Sequence, residues 1–268
     1  MSGNYLIKLK FYDFHIQGSN FAADKKLINE AKRLGYAGVS LLYSKEEYPK
    51  SKVYLKEIEQ EINETFSSSN MDSEVNSSKK SFEAIPGIKI FPKNSEDLKK
   101  QIRNSRKKTD VLMAVGGDLK INRTACENIK LDILSRPYYK RRDCGINHVL
   151  AKEAAKNQVT IELNICDILR ARSHVKSKIM THFQDIIKLQ RKFKFPLIIT
   201  SGAISNYDLR NPRDLIAFSQ CFGLNKNEAK LCISHNPKAM IDFNRHRSDI
   251  IVIGAKKICN NNNNNNNI

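Results

Sequence analysis

Two patterns of apolar residues alternate along most of the chain. Short runs rich in β-branched and aromatic residues predict buried β-strands, whereas apolar residues that recur every three or four positions predict helices that bury one face. The segment 173–193 shows the helical pattern, with Val175, Ile179, Phe183 and Ile186 on one face. Seven strands are predicted, each followed by a helical segment, over residues 11–16, 39–43, 85–91, 111–115, 131–134, 159–165 and 197–200.

Seven strand-then-helix units in succession favour a parallel sheet with helices outside it. We therefore predict an α/β fold, a single TIM-like (β/α) barrel over residues 1–258, with an open doubly wound sheet as the alternative. Further helical pieces begin at Asn211-Pro212, Asn225 and Asn236-Pro237, and residues 249–253 are predicted to form a late strand.

Polar residues mark helix starts and two segments that bury little. Asp24 is placed to cap the first helix, and Ser44 with Glu47 forms an S-x-x-E capping box for a helix that ends near residue 66. Residues 67–83 contain seven serines and few apolar residues, so they are predicted to be a flexible insert. Residues 259–268, with eight consecutive asparagines, are predicted to be a disordered tail.

Composition narrows the class of protein. The 268 residues are 40% hydrophobic, which is enough for a substantial core, and no run of 18 uncharged apolar residues predicts a membrane span. The first ten residues lack the apolar stretch of a secretory signal. The six cysteines are widely spaced, with no C-x-x-C pair, and are predicted to be reduced thiols. These features indicate a cytoplasmic protein with no membrane partner.

The charge is concentrated in one part of the chain. Lysine and arginine number 46 against 28 acidic residues, a formal net charge of +18. Residues 93–192 hold 23 basic and 11 acidic side chains, so a net charge of +12 lies in the middle hundred residues. A general bias toward lysine would not localise the charge in this way. A concentrated positive field favours a polyanionic partner, and we favour nucleic acid.

Two basic segments follow the fifth and sixth predicted strands. The first, residues 135–143, combines four cations with two adjacent tyrosines. Arginine matches phosphate oxygens and tyrosine rings stack on unpaired bases. Because successive parallel strands end at the same face of a barrel, both segments are expected to form one patch. The predicted RNA-binding residues are Arg136, Tyr138, Tyr139, Lys140, Arg141, Arg142, Arg170, Arg172, Lys176 and Lys178.

A third basic cluster lies at the end of a predicted helix. It consists of Arg103, Arg106, Lys107 and Lys108. Cations there also complement the negative end of the helix dipole, so the cluster favours RNA binding and helix stabilisation about equally.

A second possible function is that of a metal-dependent phosphoesterase, which would need metal ligands at the ends of the strands. The first strand contains Asp13 and His15, and Asp118 follows the fourth strand. Two-metal sites need several histidines and carboxylates that converge, and no strand-end histidine follows His15. The sequence therefore favours a buried, hydrogen-bonded Asp13 and His15, with no catalytic or metal-binding residue assigned.

Five short motifs, spread over nearly the whole chain, point to a known family. They are Tyr-Asp-Phe at 12–14, Ile-Glu-Leu-Asn at 161–164, Pro-Leu-Ile-Ile-Thr-Ser-Gly-Ala at 196–203, Asp-Leu-Arg-Asn-Pro at 208–212 and Ser-His-Asn-Pro at 234–237. Together they resemble ribonuclease P protein component 3, a barrel-shaped subunit shared by archaeal and eukaryotic ribonuclease P.

The resemblance implies a barrel related to that of polymerase-and-histidinol-phosphatase hydrolases. Those metal-dependent enzymes carry a Ser-Asp-Ala-His run near the position of Ser201-Gly202-Ala203-Ile204, so Gly202 and Ile204 replace an acid and an imidazole. This departure agrees with the shortage of strand-end ligands. The resemblance thus implies a chain that does not catalyse by itself.

The resemblance also implies the partners and the reaction. The chain is expected to bind the catalytic RNA of ribonuclease P, together with protein component 2 and other subunits. It would support removal of the 5′ leader from precursor tRNA. No cofactor is expected on the chain, because Mg²⁺ is used by the RNA subunit.

Overall fold

A computed structural model describes residues 9–68, 81–247, 250–252 and 255–256. Seven parallel strands form one sheet in the order of the sequence, from β1 to β7. The strands are β1 (Tyr12–Gln17), β2 (Gly38–Tyr43), β3 (Glu83–Ile90), β4 (Val111–Val115), β5 (Ile133–Ser135), β6 (Thr160–Asn164) and β7 (Leu197–Thr200). All seven predicted strands are confirmed, and each differs from its predicted bounds by two residues or fewer at either end.

The sheet closes on itself almost completely. Ile16 of β1 forms a parallel bridge with Ala203, just beyond β7, and the Gln17 N–H donates to the Ala203 carbonyl at 2.8 Å. An open doubly wound sheet would reverse its strand order at an internal point, whereas here the order is sequential throughout. The TIM-like barrel is therefore confirmed, with seven strands.

Helices surround this barrel and follow its strands. They are α1 (Phe21–Arg33), α2 (Tyr48–Ser68), α3 (Ser95–Ser105), α4 (Leu119–Cys126), α5 (His148–Asn157), α6 (Ile165–Arg170), α7 (Ser173–Phe193), α8 (Pro212–Gln220), α9 (Lys226–Ile233) and α10 (His235–Arg245). A short 3₁₀ helix, Asn206–Asp208, follows β7. Within the described residues, no helix is long and apolar enough to cross a membrane.

The interior of the barrel is apolar at the amino ends of the strands. Tyr12, Phe14, Leu42 and Met113 pack there with Ile241 of α10. The Asn244 side chain, also on α10, donates to the carbonyl of Asp110 immediately before β4 at 2.7 Å. Helix α10 therefore closes the amino end of the barrel, and the opposite end is where the polar side chains gather.

The boundaries of the domain differ from the predicted ones in two places. The strand expected at 249–253 appears as β8 (Ile250–Val252), but it pairs antiparallel with β9 (Ala255–Lys256) outside the barrel. The insert expected at 67–83 is shorter, because α2 runs to Ser68 and Phe82 is buried against the core, with its backbone held by the Asn63 amide. The rest of that insert, residues 69–80, and the tail at 259–268 lie outside the described residues.

One predicted cap is wrong and one is confirmed. Asn20, not Asp24, caps α1 by accepting from the Ala23 N–H. Asp24 is buried inside the helix, where it accepts from the hydroxyls of Tyr43 and Tyr54 at 2.6 and 2.7 Å. The reciprocal bonds of the Ser44 and Glu47 capping box are both present, and the regular helix α2 begins at Tyr48, immediately after Glu47.

Candidate nucleic-acid interface

The two basic segments meet at one cleft at the carboxyl end of the barrel. The cleft has a volume of about 480 Å³ and lies between the loop after β5 and the two helices after β6. Its lining includes Tyr139, Lys140 and Arg141 from the loop, Arg170 from α6 and Lys178 from α7. The expectation that the segments share a face is confirmed, because β5 and β6 are neighbours in the sheet.

Hydrogen bonds from a neighbouring helix fix the backbone conformation of the loop after β5. The Asn122 side chain on α4 donates to the carbonyls of Pro137 and Gly145, both at 2.9 Å, and accepts from the Gly117 N–H. Arg136 and Lys140 adopt left-handed backbone conformations, with φ of 51° and 55°, which non-glycine residues adopt only where the surroundings impose them. The cations of this loop are therefore presented from a preformed backbone.

Three of the predicted RNA-binding arginines are held in ion pairs within the protein. Arg136 contacts Asp167 at 2.7 Å, Arg141 contacts Asp143 at 2.6 Å, and Arg170 contacts Asp208 at 2.6 Å. Each pair fixes a guanidinium near the cleft and reduces its net charge. The main role of these three arginines is therefore to fix the structure around the cleft, and they contribute little to its positive potential.

Five other predicted cations are exposed and make no ion pair within the described residues. They come from both segments and differ from the three arginines in having no carboxylate partner: Lys140, Arg142, Arg172, Lys176 and Lys178. Exposed cations without internal partners keep their full charge for phosphate groups. This set, named here the free cations, carries most of the positive potential of the candidate interface.

The two adjacent tyrosines have opposite environments. Tyr138 is only 4% exposed, donates its hydroxyl to Asp167 at 2.8 Å, and packs edge-on against Phe183. Its prediction as a stacking platform is therefore corrected, since the buried ring offers no open face to a base. Tyr139 is 46% exposed, with the Lys140 ammonium 5.3 Å from the centre of its ring. It retains the geometry of a stacking residue.

The third basic cluster includes a structural residue. Arg106 is largely buried, pairs with Asp132 at 2.5 Å and also donates to the Thr109 carbonyl. The same Asp132 accepts from Arg247 at 3.1 Å. Arg106 therefore ties α3 to the amino end of the barrel, and it is not available to RNA.

A polar network fills the carboxyl end of the barrel interior. His15 on β1 lies 2.5 Å through its Nδ1 from Glu162 Oε1 on β6, and its Nε2 lies 2.8 Å from the Lys89 ammonium on β3. An ammonium can only donate, so Nε2 accepts from Lys89 and Nδ1–H donates to Glu162. Burial lowers the pKa of His15, in agreement with this neutral imidazole. Thr200 Oγ1 donates to the same Glu162 oxygen at 2.5 Å.

Sequence analysis did not find Glu162 and Lys89 as members of this network. A signal was present, because each is a charged residue inside a strand predicted to be apolar and buried. Burial lowers the pKa of Lys89 to about 8, so it remains a cation at neutral pH. Lys89 therefore supplies a positive charge to the network that contains Glu162, in contact with His15 Nε2.

The three residues weighed as metal ligands do not come together. Asp13 and His15 are buried and hydrogen-bonded, as expected, with the Ser201 N–H donating to Asp13 Oδ2 at 3.2 Å. Asp118 instead caps α4 by accepting from the amides of Lys120 and Ile121. No group of three or more histidine, cysteine, aspartate or glutamate side chains in the described part of the chain is placed to hold a metal ion.

Asp13 is expected to make stability depend on pH. Burial raises its pKa to about 6, against the opposing hydrogen bonds from Ser201 and His15. The folded state therefore binds more protons than the unfolded state between about pH 4 and pH 6, and stability falls as the pH rises through that window, by about 3 kcal/mol. Urea denaturation of wild type and Asp13→Asn at pH 4, 5, 6 and 7 checks this. Parallel profiles for the two proteins would contradict it.

Comparison with known proteins identifies the family to which the chain belongs. Residues 10–249 match the family model described as RNase P subunit p30. The chain is 39% identical to ribonuclease P protein component 3 of Methanothermobacter thermautotrophicus, over 93% of this chain and 96% of that protein. It is 32% identical to the protein of that name from Methanococcoides burtonii, over 92% and 93% of the two chains.

A solved structure agrees in fold and in sequence. A chain in the cryo-EM structure of archaeal ribonuclease P with mature tRNA superposes with a TM-score of 0.71 and 26% identity, over 93% of this chain and 99% of that one. The range matched by the family model, residues 10–249, includes both basic segments. On the family model and these relatives, the chain belongs to the RNase P subunit p30 family.

Proposed function

We propose that this chain is a protein subunit of ribonuclease P that binds the catalytic RNA and supports removal of the 5′ leader from precursor tRNA. The chain contributes to the endonuclease only within the holoenzyme and does not cleave RNA alone. The Mg²⁺ ions of the reaction are used by the RNA subunit. Family membership supports the assignment, as does the likeness to a chain of archaeal ribonuclease P with tRNA.

One observation carries the RNA-binding part of this proposal. Two basic segments converge on one cleft, and Lys140 and Lys178, one from each segment, line it with no carboxylate partner among the described residues. The fold does pair a charge that it uses for its own stability, as it pairs Arg106 with Asp132. The concentration of unpaired cations around one cleft therefore favours a partner that carries many negative charges.

The physical role of the free cations follows from the charge of RNA. Folding a large RNA brings phosphates close together, and their repulsion is reduced by metal ions or by protein cations. Positive side chains fixed on a rigid loop do this without the entropy cost of ordering a flexible tail. We therefore expect the chain to lower the magnesium concentration at which the RNA becomes active.

The remaining partners follow from the same assignment. The holoenzyme also contains protein component 2 and other protein subunits. The chain interacts with precursor tRNA only as part of this complex. The complex is cytoplasmic and has no membrane partner. Tyr139 and the free cations are the proposed RNA contacts on this chain, with Arg136, Arg141 and Arg170 positioned beside them.

Reconstitution tests the proposal. Precursor-tRNA cleavage is measured with the RNA subunit and the other proteins, with and without this chain, across a magnesium titration. We expect the chain to shift the magnesium requirement downward and raise the rate at low magnesium, and to be inactive alone. Equal activity with and without it would refute the proposal. Cleavage by the purified chain with a divalent metal would support the phosphoesterase alternative instead.

A further inference from the structure

The cleft between the two basic segments has an apolar wall that the core covers only in part. Helix α7 carries an apolar stripe, and its C-terminal part, with Phe183 and Ile186, is fully buried. The same stripe continues toward the N-terminus of α7 through Val175 and Ile179, which line the cleft with Ala171. These three side chains are only partly buried, so they leave apolar surface open to the cleft.

The inner end of the cleft has a polar group without a partner. His182 lines the cleft and is 5% exposed, and its ring stacks on Tyr138 with centroids 6.3 Å apart. Among the described residues, its Nε2 atom has no hydrogen-bond partner. A buried polar atom without a partner costs stability, so its persistence in a cleft wall points to a ligand group. The neighbouring Asp167 is already held by Arg136 and by the Tyr138 hydroxyl.

The rim of the cleft is positive. Lys140 and Lys178 lie on opposite sides of it and belong to the free cations, while Arg141 and Arg170 stand beside them in their ion pairs. The combination is an apolar and aromatic wall, polar groups at depth and cations at the entrance. Unpaired nucleotides present the matching arrangement, with a flat base, base-edge donors and acceptors, and a phosphate outside.

We propose that this cleft binds one unpaired nucleotide of the RNA, with its base inserted against Val175 and Ile179 and its phosphate at Lys140 and Lys178. The volume of about 480 Å³ lies within the range of small-ligand sites. The unpartnered Nε2 of His182 contacts the edge of the base. This inference deepens the proposed function and rests on it, because it names the form of RNA that the cleft accepts. It predicts that binding here depends on a base as well as on phosphates.

The test separates base recognition from charge. Fluorescence anisotropy measures the affinity of the full chain for a ten-nucleotide single-stranded uridine oligomer and for the same sugar-phosphate backbone with every base removed. We expect the oligomer with bases to bind about tenfold more tightly, within the range that one stacked base contributes. Equal affinities, or no binding of either oligomer, would overturn the proposal.

A charge-neutral substitution fills the cleft. In Ala171→Leu with Val175→Met, which adds side-chain volume but no ring, the base-bearing oligomer is expected to bind no more than about twofold more tightly than the abasic one, and the dependence of affinity on salt stays as in wild type. Val53→Met, at an exposed position of α2, is the control and is expected to keep the preference. Melting curves confirm folding, and Ala171→Met is the second cleft-filling variant. A full preference in a folded cleft variant would overturn the proposal.

Three further results distinguish the possible failures. Displacement of the oligomer by an equal concentration of uridine 5′-monophosphate would overturn the assignment to an RNA strand and indicate a free-nucleotide site. If the base preference is absent but the chain still lowers the magnesium requirement in reconstitution, the nucleotide cleft is wrong and the proposed function stands. If reconstitution does not respond to the chain, the proposed function itself fails.

Discussion

Replacing Glu162 by alanine is expected to lower the free energy of unfolding by about 3–5 kcal/mol, the range for removal of one member of a buried charge pair. Glu162 is fully buried and accepts from His15 and Thr200. Its carboxylate is also the countercharge of the Lys89 ammonium on the far side of the imidazole. Alanine would leave the partly buried Lys89 ammonium without its countercharge and the imidazole N–H without a partner, in addition to a cavity.

Urea denaturation at pH 7 measures this effect. Glu57→Ala, at an exposed position of α2, is the control and is expected to change stability by less than about 0.5 kcal/mol. The double variant Glu162→Gln with Lys89→Met removes both charges and keeps similar side-chain volumes. It is expected to be more stable than Glu162→Gln alone, because the two charges compensate each other. Additive losses in the two single variants would show that the charges are not coupled.

The same residue predicts a loss of stability in acid. Burial by itself would raise the pKa of Glu162, but the hydrogen bonds donated by His15 and by the Thr200 hydroxyl outweigh it and hold the pKa below its ordinary value. An acid with a depressed pKa stabilises the fold above its ordinary pKa of about 4.5, and this stability is lost as the pH falls below that value. Glu162→Gln is expected to lack this acid-dependent part.

Reversing two free cations is expected to weaken RNA binding by about a hundredfold. In Lys140→Glu with Lys178→Glu, one charge is reversed on each side of the cleft, and both side chains are exposed. Each lost charge-assisted contact to a phosphate is worth roughly 1.5 kcal/mol, so two together give this factor. The slope of log affinity against log salt concentration should also become shallower by roughly 1.4–1.8.

The matched control changes the net charge by the same amount elsewhere. Lys99→Glu with Lys100→Glu alters two exposed lysines on the outer surface of α3. It is expected to retain most of the affinity and a salt slope close to that of wild type. Equal losses in the two double variants would mean that overall charge, and not the cleft, determines RNA binding. Titration of the RNA subunit at several salt concentrations supplies both quantities.

Local patterning was sufficient for most of the fold. Each barrel strand is a short apolar run whose hydrogen bonds go to its sequence neighbours, so strand order follows chain order and a barrel could be predicted from periodicity alone. Errors arose where a distant residue overrode a local preference. Asp24 has a typical capping side chain, yet Tyr43 and Tyr54 draw it into the interior. Phe82, next to a serine-rich segment, is buried against the core.

For the candidate interface, too, some features could be predicted from the sequence and others only from the tertiary structure. The sequence by itself determined the position of the two basic segments, their placement at one end of a parallel barrel, and the family. Only the tertiary structure decided that Tyr138 is buried while Tyr139 is exposed, and that Arg136, Arg141 and Arg170 are paired while Arg142 and Lys178 are not. It also joined His15 to Glu162 across 147 positions of sequence. Hydrophobic periodicity is a local property, whereas burial and charge pairing depend on which side chains meet in space, and no spacing along the chain records those contacts.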